Sequence, residues 1–289
     1  MADLARRIGG WSVVWAAVVL AGCGGGGGGG GSGKPGGADE DTLARIKREG
    51  VLRWGADPSG GAPYAFYDPQ KPESVIGFEV EMMDRIAGHL GVRHEMVKAQ
   101  WDTLLEGLKA RRSDLVMNGL EINEARQKAV DFSQPYYVYE QMLTVRLADK
   151  EKYKSLDDLK GKKIGTLSGA EANNVLKRAG WTEAQITCYE DTSTPYTELE
   201  LARVEAVLQE QMIAEHYAAS KEKLYLIRRT FSPGKYAVAV RKGDAKLSAE
   251  VDRVLEKMKQ NGELAAIYKK WRIWNDAQKI IGVQEAPAP

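Results

Sequence analysis

The chain has 289 residues, with 41 lysines and arginines against 40 aspartates and glutamates. This length allows one or two domains, and the near-zero net charge without a sustained basic stripe argues against a nucleic-acid partner. The two cysteines, Cys23 and Cys188, are too few for a disulfide framework or a thiolate metal site. The three histidines, His89, His94 and His216, show no metal-ligand spacing, so the sequence predicts a globular protein without a metal or cofactor.

The N-terminus has the pattern of a targeting segment. Arg6 and Arg7 precede an apolar run from Trp11 to Leu20, which is shorter than the roughly 20 residues needed to span a bilayer. A basic start, a short apolar stretch and small residues behind it are typical of a secretory signal. The segment ends in Ala21-Gly22-Cys23, which resembles the bacterial lipobox, in which the cysteine is lipidated and becomes N-terminal. Residues 1–23 are therefore predicted to be a lipoprotein signal peptide; a plain signal peptide with an incidental cysteine is the alternative.

A glycine-rich stretch follows the predicted lipidation site. It begins with unbroken glycine from Gly24 to Gly31. Such a stretch has no side chains to bury and behaves as a flexible linker. Residues 24–40 are therefore predicted to be a flexible tether, and the folded part is predicted to begin near Asp41.

Helix and strand patterns alternate along the next part of the chain. Thr42 to Val51 carries a helix signal that Gly50 can stop, Leu52 to Ala56 is predicted to be a strand, and Asp57 to Pro63 is predicted to be a loop. Apolar residues at helical spacing predict a helix from Phe78 to Leu90 that ends at Gly91. The alternation continues with predicted elements at 93–98, 103–110, 115–117, 155–159, 163–167, 171–178, 186–190, 197–202 and 206–208. Strands that alternate with helices favour a mostly parallel sheet in an α/β protein.

Two extended runs and a helical end complete the pattern. The extended runs are Tyr136 to Arg146 and Tyr236 to Arg241. Helices are predicted at 247–260 and 264–271, with Val251, Val254, Leu255 and Met258 forming an apolar stripe that we interpret as core. Cys188 is predicted to be a buried strand residue, and residues 282–289 are predicted to be disordered.

Five segments, in order and at the expected spacing, carry a resemblance to a known family. They are Gly77 to Glu81, Asn118 to Arg126 with Val130 to Tyr137, Leu156 to Gly165, Tyr236 to Gly243, and Gly262 to Trp271. From about Thr42 to Trp271 the chain resembles the family 3 extracellular solute-binding proteins, the polar amino-acid receptors of ABC importers.

The resemblance implies an α/β fold like that of periplasmic binding proteins, with two α/β lobes joined by a two-strand hinge. Residues 41–136 and 237–281 would form lobe 1, and residues 137–236 would form lobe 2 with the hinge strands. The ligand would bind in the cleft between the lobes, which would close over it.

The resemblance also implies a function outside the cytoplasm. The protein would capture a polar amino acid and deliver it to the permease subunits of an ABC importer. It would act as a monomer, held at a bacterial membrane through lipidated Cys23.

The resemblance places the ligand contacts at eleven positions. They are Asp57, Trp101, Asn118, Gly119, Glu121, Asn123, Arg126, Ser168, Gly169, Ala170 and Glu210. Arg126 matches the family's carboxylate-binding arginine, whose planar guanidinium suits a carboxylate; the alternative is a surface arginine that pairs with Glu124 or faces solvent. Gly119 lies where family members offer backbone or hydroxyl contacts.

Two acidic positions depart from the family pattern. Glu121 and Asn123 stand where many members have serine or threonine, and Glu121 either meets a cationic group of the ligand or neutralises Arg126. Glu210 stands where the family has an amine-binding aspartate, so its longer side chain puts the ligand's position in doubt. If Asp57, Glu121, Glu171 and Glu210 all face the cleft, a cationic amino acid is favoured.

The remaining positions each have two interpretations. Trp101 matches an aromatic residue that packs on the ligand in some members, or it fills the core. Asp57 contacts the ligand's side chain, or it holds its own Asp-Pro loop together. Ser168 and Glu171 fit a capping box at the start of a helix, where Ala170 lacks the family's usual hydroxyl and amide groups can bind a carboxylate.

Two other functions stay open at this point. A ligand-sensing module of a signalling system would have the same sequence features. Cyclohexadienyl dehydratases share the fold, but in that group the resemblance places the proton donor at Ile213, whose side chain cannot transfer protons.

Overall fold

The structure is a computed structural model that describes residues 41–219 and 221–285, with only the backbone of Arg229 and Thr230. The predicted signal peptide, Cys23 and the tether therefore lie outside the described residues, as do residues 286–289 of the predicted disordered tail.

Helices and strands alternate through most of the described chain. The helices are α1 (Thr42–Glu49), α2 (Phe78–Leu90), α3 (Leu104–Lys109), α4 (Glu124–Ala129), α5 (Glu171–Arg178), α6 (Thr194–Glu200), α7 (Gln211–Ala218), α8 (Ala245–Gln260) and α9 (Glu263–Lys270). The strands are β1 (Val51–Ala56), β2 (Phe66–Asp68), β3 (Lys71–Ile76), β4 (Arg93–Lys98), β5 (Leu115–Val116), β6 (Val130–Arg146), β7 (Ile164–Leu167), β8 (Ile186–Tyr189), β9 (Ala206–Glu210) and β10 (Leu224–Arg241).

Local sequence accounts for the ends of the first helices. The Asp41 side chain accepts a hydrogen bond from the Leu43 amide at 3.0 Å, which caps the start of α1. The helix ends at Gly50, and α2 ends at Gly91; both glycines have a left-handed backbone with φ of +66° and +71°.

The main sheet has eight strands in the order β4-β1-β5-β10-β6-β9-β7-β8. The long antiparallel strands β6 and β10 lie at its centre and belong to both halves. On one side β1 pairs in parallel with β4 and β5, and on the other β7 pairs in parallel with β8 and β9. Helices accompany both parallel sets, so the predicted fold of two α/β lobes joined by two strands is confirmed; the residue boundaries of the lobes stay a prediction.

Pairing between the two long strands is irregular where they pass from one lobe to the other. Register shifts interrupt the β6–β10 ladder between Ile227 and Ala239. A Cβ atom at Gly234 would lie 2.2 Å from the Tyr139 ring, so only glycine allows this ring to pack so closely. Tyr139 in turn stacks on Tyr236, with ring centroids 4.5 Å apart. Bulges and packed aromatic rings thus fix the crossing at which a hinge is predicted.

The predicted core stripe is confirmed, because Val251, Val254, Leu255 and Met258 on α8 are all fully buried. None of the helices within residues 41–219 and 221–285 has the length and apolar character needed to cross a membrane.

Three features differ from the sequence predictions. The β2–β3 hairpin was not predicted; its residues are half-buried or exposed, so they lack the alternating apolar pattern of a half-buried strand. Cys188 lies on a strand as predicted, but it is exposed rather than buried. The prediction of disorder is wrong for residues 282–285, because Val283 is 2 % exposed and the Gln284 amide donates to the Lys259 carbonyl at 3.0 Å.

Candidate functional site

A cleft between the two halves of the sheet brings together residues from both lobes. Its volume is about 30 Å³, below the roughly 300–1,000 Å³ of small-molecule sites, so a ligand of amino-acid size needs the lobes to move apart. The lining residues are Gly60, Tyr64, Trp101, Asn118, Gly119, Glu121, Leu167, Ala170, Thr192, Glu210 and Ile213. Six of the predicted ligand contacts are among them, namely Trp101, Asn118, Gly119, Glu121, Ala170 and Glu210. Two of the lining residues are acidic and none is lysine or arginine.

Arg126 lies behind the lining and binds the carboxylate of Glu121. Its Nη1 group donates to Oε2 of Glu121 and, at 2.9 Å, to the Glu121 carbonyl oxygen. Its Nη2 group donates across the cleft to the Gly169 carbonyl at 3.1 Å. The ion pair is well shielded from water, because Glu121 is only 1 % exposed. Arg126 is therefore neither a solvent-facing arginine nor a partner of Glu124.

Glu121 also reaches the start of helix α5 in the other lobe. Its Oε1 atom accepts a hydrogen bond from the Glu171 amide at 2.9 Å. Amides in the first turn of a helix lack partners within the helix and lie at the positive end of its dipole, so they favour a carboxylate. The carboxylate that binds at the start of α5 is thus the protein's own.

The predicted capping box at this helix is wrong. The N-cap is Ala170, which has an extended backbone and no side-chain hydrogen bond. The Ser168 amide instead donates to the Tyr189 carbonyl at 2.8 Å, in continuation of the β7–β8 pairing. Because the helix begins two residues later than a Ser168 cap requires, the Glu171 amide is left for Glu121.

Glu210 is the second acidic residue of the cleft. It ends strand β9, lies opposite Gln141 of β6 and is 4 % exposed. Burial raises the pKa of Glu210 well above its ordinary value, and the nearby Glu121 carboxylate raises it further. Of the residues that the structure describes, no lysine or arginine forms an ion pair with Glu210. Arg126 therefore pairs with only one of the two buried carboxyl groups, that of Glu121.

Trp101 forms one wall of the cleft and packs on Arg126. The guanidinium carbon of Arg126 is 5.2 Å from the centre of the Trp101 ring, a distance at which the ring face attracts a cation. Trp101 is half-buried and also packs against the buried apolar cluster that includes Leu104 and Leu108, so it contributes both to the cleft wall and to the packing beneath it.

Asp57, Asn118 and Asn123 support the cleft through hydrogen bonds to backbone amides. The two carboxylate oxygens of Asp57 accept from the Ser59 amide at 2.9 Å and from the Trp101 amide at 2.8 Å. Asn118 accepts from the Asp57 amide, and Asn123 caps α4 by accepting from the Arg126 amide at 2.9 Å. These contacts agree with the interpretation of Asp57 as a residue that holds its own loop.

Glu79 supports the cleft from within lobe 1 and was not predicted as a site residue. Its Oε1 atom accepts from the Gly119 amide at 2.6 Å and from the Tyr136 hydroxyl. Burial raises the pKa of Glu79 to about 7 against these two bonds, which lower it. The signal was present in the sequence, because Glu79 lies within the family motif Gly77 to Glu81 and faces the core side of α2.

Several direct contacts join the lobes at the rim of the cleft. The Thr192 hydroxyl donates to the Gly60 carbonyl at 2.5 Å, and the Ala62 amide donates to the Tyr217 hydroxyl at 3.2 Å. A Cβ atom at Gly61 would lie 2.2 Å from that hydroxyl, so the glycine is needed for the close approach. Gly61 therefore makes room for Tyr217 and Thr192 of lobe 2.

Comparison with known proteins agrees with the fold and the motifs. The family model of the bacterial extracellular solute-binding proteins, family 3, matches residues 52–273. The L-cystine-binding protein TcyJ of Escherichia coli is 32 % identical over 235 residues, which cover 81 % of this chain and 87 % of TcyJ.

Solved structures give the same result. An amino-acid ABC transporter substrate-binding protein from Streptococcus pneumoniae, bound to L-arginine, is 29 % identical with a TM-score of 0.73 and covers 80 % of this chain and 98 % of its own. An ancestral amino-acid-binding protein, described as a precursor of cyclohexadienyl dehydratase, is 29 % identical with a TM-score of 0.73. The match covers 80 % of this chain and 99 % of the ancestral protein. The chain therefore belongs to family 3 of the bacterial extracellular solute-binding proteins.

Proposed function

We propose that this protein captures a small, positively charged solute of the amino-acid type in the interlobe cleft and delivers it to an ABC-type importer. The relatives support an amino-acid-type solute, since TcyJ is named for L-cystine and the streptococcal structure holds L-arginine; of these two ligands L-arginine is the positively charged one. The same proposal places the protein outside the cytoplasm, anchored through Cys23 to a bacterial membrane.

The observation that carries the proposal is the charge of the cleft. Glu121 and Glu210 are both buried there, and Arg126 is the cation that lies against them. A buried carboxylate is stable only when it is paired or protonated. A ligand that brings an ammonium or guanidinium group supplies the missing positive charge and takes the place of the proton on Glu210.

The eleven predicted contacts take different roles in this proposal. Glu210 pairs with the ligand's cationic group, and Trp101 presents its ring face. Asn118, Gly119, Gly169 and Ala170 shape the cleft with backbone and small side chains. Glu121 and Arg126 connect the two sides, Ser168 continues the β7–β8 pairing below the start of α5, and Asp57 and Asn123 hold loops of lobe 1.

Two alternative functions, an enzyme and a sensing module, can each be distinguished from transport by a specific result. The enzyme alternative gains support from the likeness to a precursor of cyclohexadienyl dehydratase. Against it, Ile213 lines the cleft at the position where that group has its proton donor. Turnover of a prephenate-type substrate would favour the enzyme. A sensing role shares the binding step, and loss of solute uptake on deletion of the protein would favour transport.

Thermal unfolding with each amino acid and with simple amines tests the binding step. A ligand at a hundredfold excess over its Kd should stabilise the folded protein by about 2.7 kcal/mol. Cationic ligands should raise the melting temperature of the wild type, and Glu210→Gln should abolish the rise because its amide cannot pair with a cation.

A control variant distinguishes loss of the Glu210 carboxylate from loss of a carboxylate elsewhere on the protein. Glu95→Gln removes an exposed carboxylate on β4 that pairs with Arg93, and it should keep the full ligand-dependent rise. If no amino acid or amine shifts the wild type, or if Glu210→Gln responds like the wild type, the proposed site is wrong.

A further inference from the structure

The anion-binding position of the cleft is formed by two groups from opposite lobes. Arg126 supplies the guanidinium, and the start of α5 supplies the Glu171 amide. The carboxylate of Glu121 bridges the two, with one oxygen on each. We propose that Glu121 fills this position in the closed cleft and thereby selects ligands that carry a cationic group but no carboxylate beside it.

Glu121 binds Arg126 through its backbone as well as its side chain. Its own carbonyl oxygen also accepts from Nη1 of Arg126 at 2.9 Å, so backbone and side chain bind the same guanidinium group. To vacate the position, the side chain would have to give up both partners while it is 1 % exposed to water. A buried carboxylate without partners is strongly unfavourable, so an incoming carboxylate does not displace it.

The rest of the cleft offers no second position for an anion. Its lining includes two carboxyl groups and neither lysine nor arginine. The Nη2 group of Arg126 is directed to the Gly169 carbonyl at 3.1 Å. A ligand carboxylate would therefore lie against Glu121 and Glu210, and like charges in a buried site repel each other.

The ligand class follows from the chemistry of this lining. Glu210 is buried without an ion-pair partner among the described residues and pairs with an ammonium or guanidinium group. Glu121 completes the neutralisation of Arg126, so the cleft needs one positive charge and no negative one. Primary amines and guanidines of amino-acid size meet this requirement. The inference rests on the proposed function, because it assumes that the cleft binds a cationic solute.

Matched pairs that differ only in the α-carboxylate test the inference. Isothermal titration of the purified protein with L-lysine and cadaverine, and with L-arginine and agmatine, measures what that one group contributes. In the wild type the amine of each pair should bind more tightly than the amino acid, by about 10- to 100-fold in Kd. Glu121→Ser frees Arg126 and the Glu171 amide, so it should reverse the preference within each pair.

The outcomes separate the two proposals. If the amino acids bind the wild type as tightly as the amines or more tightly, the inference is overturned and the proposed function stands. If no member of either pair binds the wild type, the proposed function fails and the inference fails with it. The ratio of Kd values within each pair, measured on the wild type, tests the inference even if Glu121→Ser does not fold. Glu121→Gln keeps an acceptor for the Glu171 amide and removes the negative charge of the side chain. It should then reduce the difference in Kd between amine and amino acid.

Discussion

The acidic residues around the cleft fall into two regions with opposite surroundings. In the supporting region, Asp57 and Glu79 accept hydrogen bonds from groups of the protein itself: Asp57 from two backbone amides and Glu79 from the Gly119 amide and the Tyr136 hydroxyl. In the lining region, Glu121 pairs with Arg126, and Glu210 has no ion pair with a described residue.

This difference separates residues that shape the cleft from residues that act in it. Both oxygens of Asp57 accept from fixed amides, so this carboxylate holds those amides in place and has little capacity left for a ligand. Glu79 uses only Oε1, and its Oε2 is buried without a partner among the described residues, but Glu79 does not line the cleft. A buried carboxyl group without a cation is costly in the folded protein and gains most when a cation arrives. A binding residue therefore has to line the cleft and lack a cation, and Glu210 meets both conditions.

The largest expected effect is a pH dependence of the free energy of unfolding, and it comes from Glu79 in the supporting region. Because burial raises the pKa of Glu79 from 4.5 to about 7, the folded protein binds this proton more tightly than the unfolded chain. Stability should therefore fall as the pH rises through this window, by about 3 kcal/mol from this residue. Glu79→Gln keeps an oxygen for the Gly119 amide and cannot ionise, so it should not show this loss.

Urea unfolding at pH 5 and pH 8 measures the effect as a difference between the two proteins. Glu210, whose pKa is also raised by burial, contributes in the same direction but is present in both and cancels. Equal losses of stability in wild type and Glu79→Gln would mean that the Glu79 carboxylate is stabilised by more than the two bonds seen here.

Much of the fold could be predicted because its elements carry strong local signals. The helix from Phe78 to Leu90 has apolar residues at helical spacing and a terminal glycine, and its predicted bounds are those of α2. The β2–β3 hairpin gave no such signal. Its strand Lys71–Ile76 begins with exposed residues and includes a proline, so neither alternation nor composition predicts a strand.

The site could be predicted as a set of positions but not as a set of contacts. The motif from Asn118 to Arg126 places Glu121 near its arginine, since the two are five residues apart. The bond from Glu121 to the Glu171 amide joins residues fifty apart in different lobes, and it depends on where α5 begins. A shift of two residues in that start, which sequence patterns rarely resolve, decides whether the amide is capped by Ser168 or left for Glu121.

The second prediction removes a carboxylate from the supporting region. Asp57→Ala leaves the Trp101 amide, which is half-buried, without an acceptor, and it frees the loop at Ser59. We expect the free energy of unfolding to fall by about 2 kcal/mol. Asp57→Asn retains one acceptor oxygen and should lose about half of that. Denaturant titration in the absence of ligand measures both, and unchanged stability in Asp57→Ala would show that water replaces the carboxylate at no cost.

The smallest expected effect is a gain in the free energy of unfolding, and it comes from Glu210 in the lining region. Glu210→Gln removes a buried group whose charged form burial disfavours, so at pH 8 the ligand-free protein should become more stable, by about 1 kcal/mol. The gain is modest because the new amide is itself a buried polar group that needs partners. Denaturant titration at pH 8, beside the same measurement on Glu95→Gln, checks it. A variant that binds no ligand yet is harder to unfold would assign Glu210 to the ligand, whereas a loss of stability like that of Asp57→Ala would place Glu210 with the supporting residues.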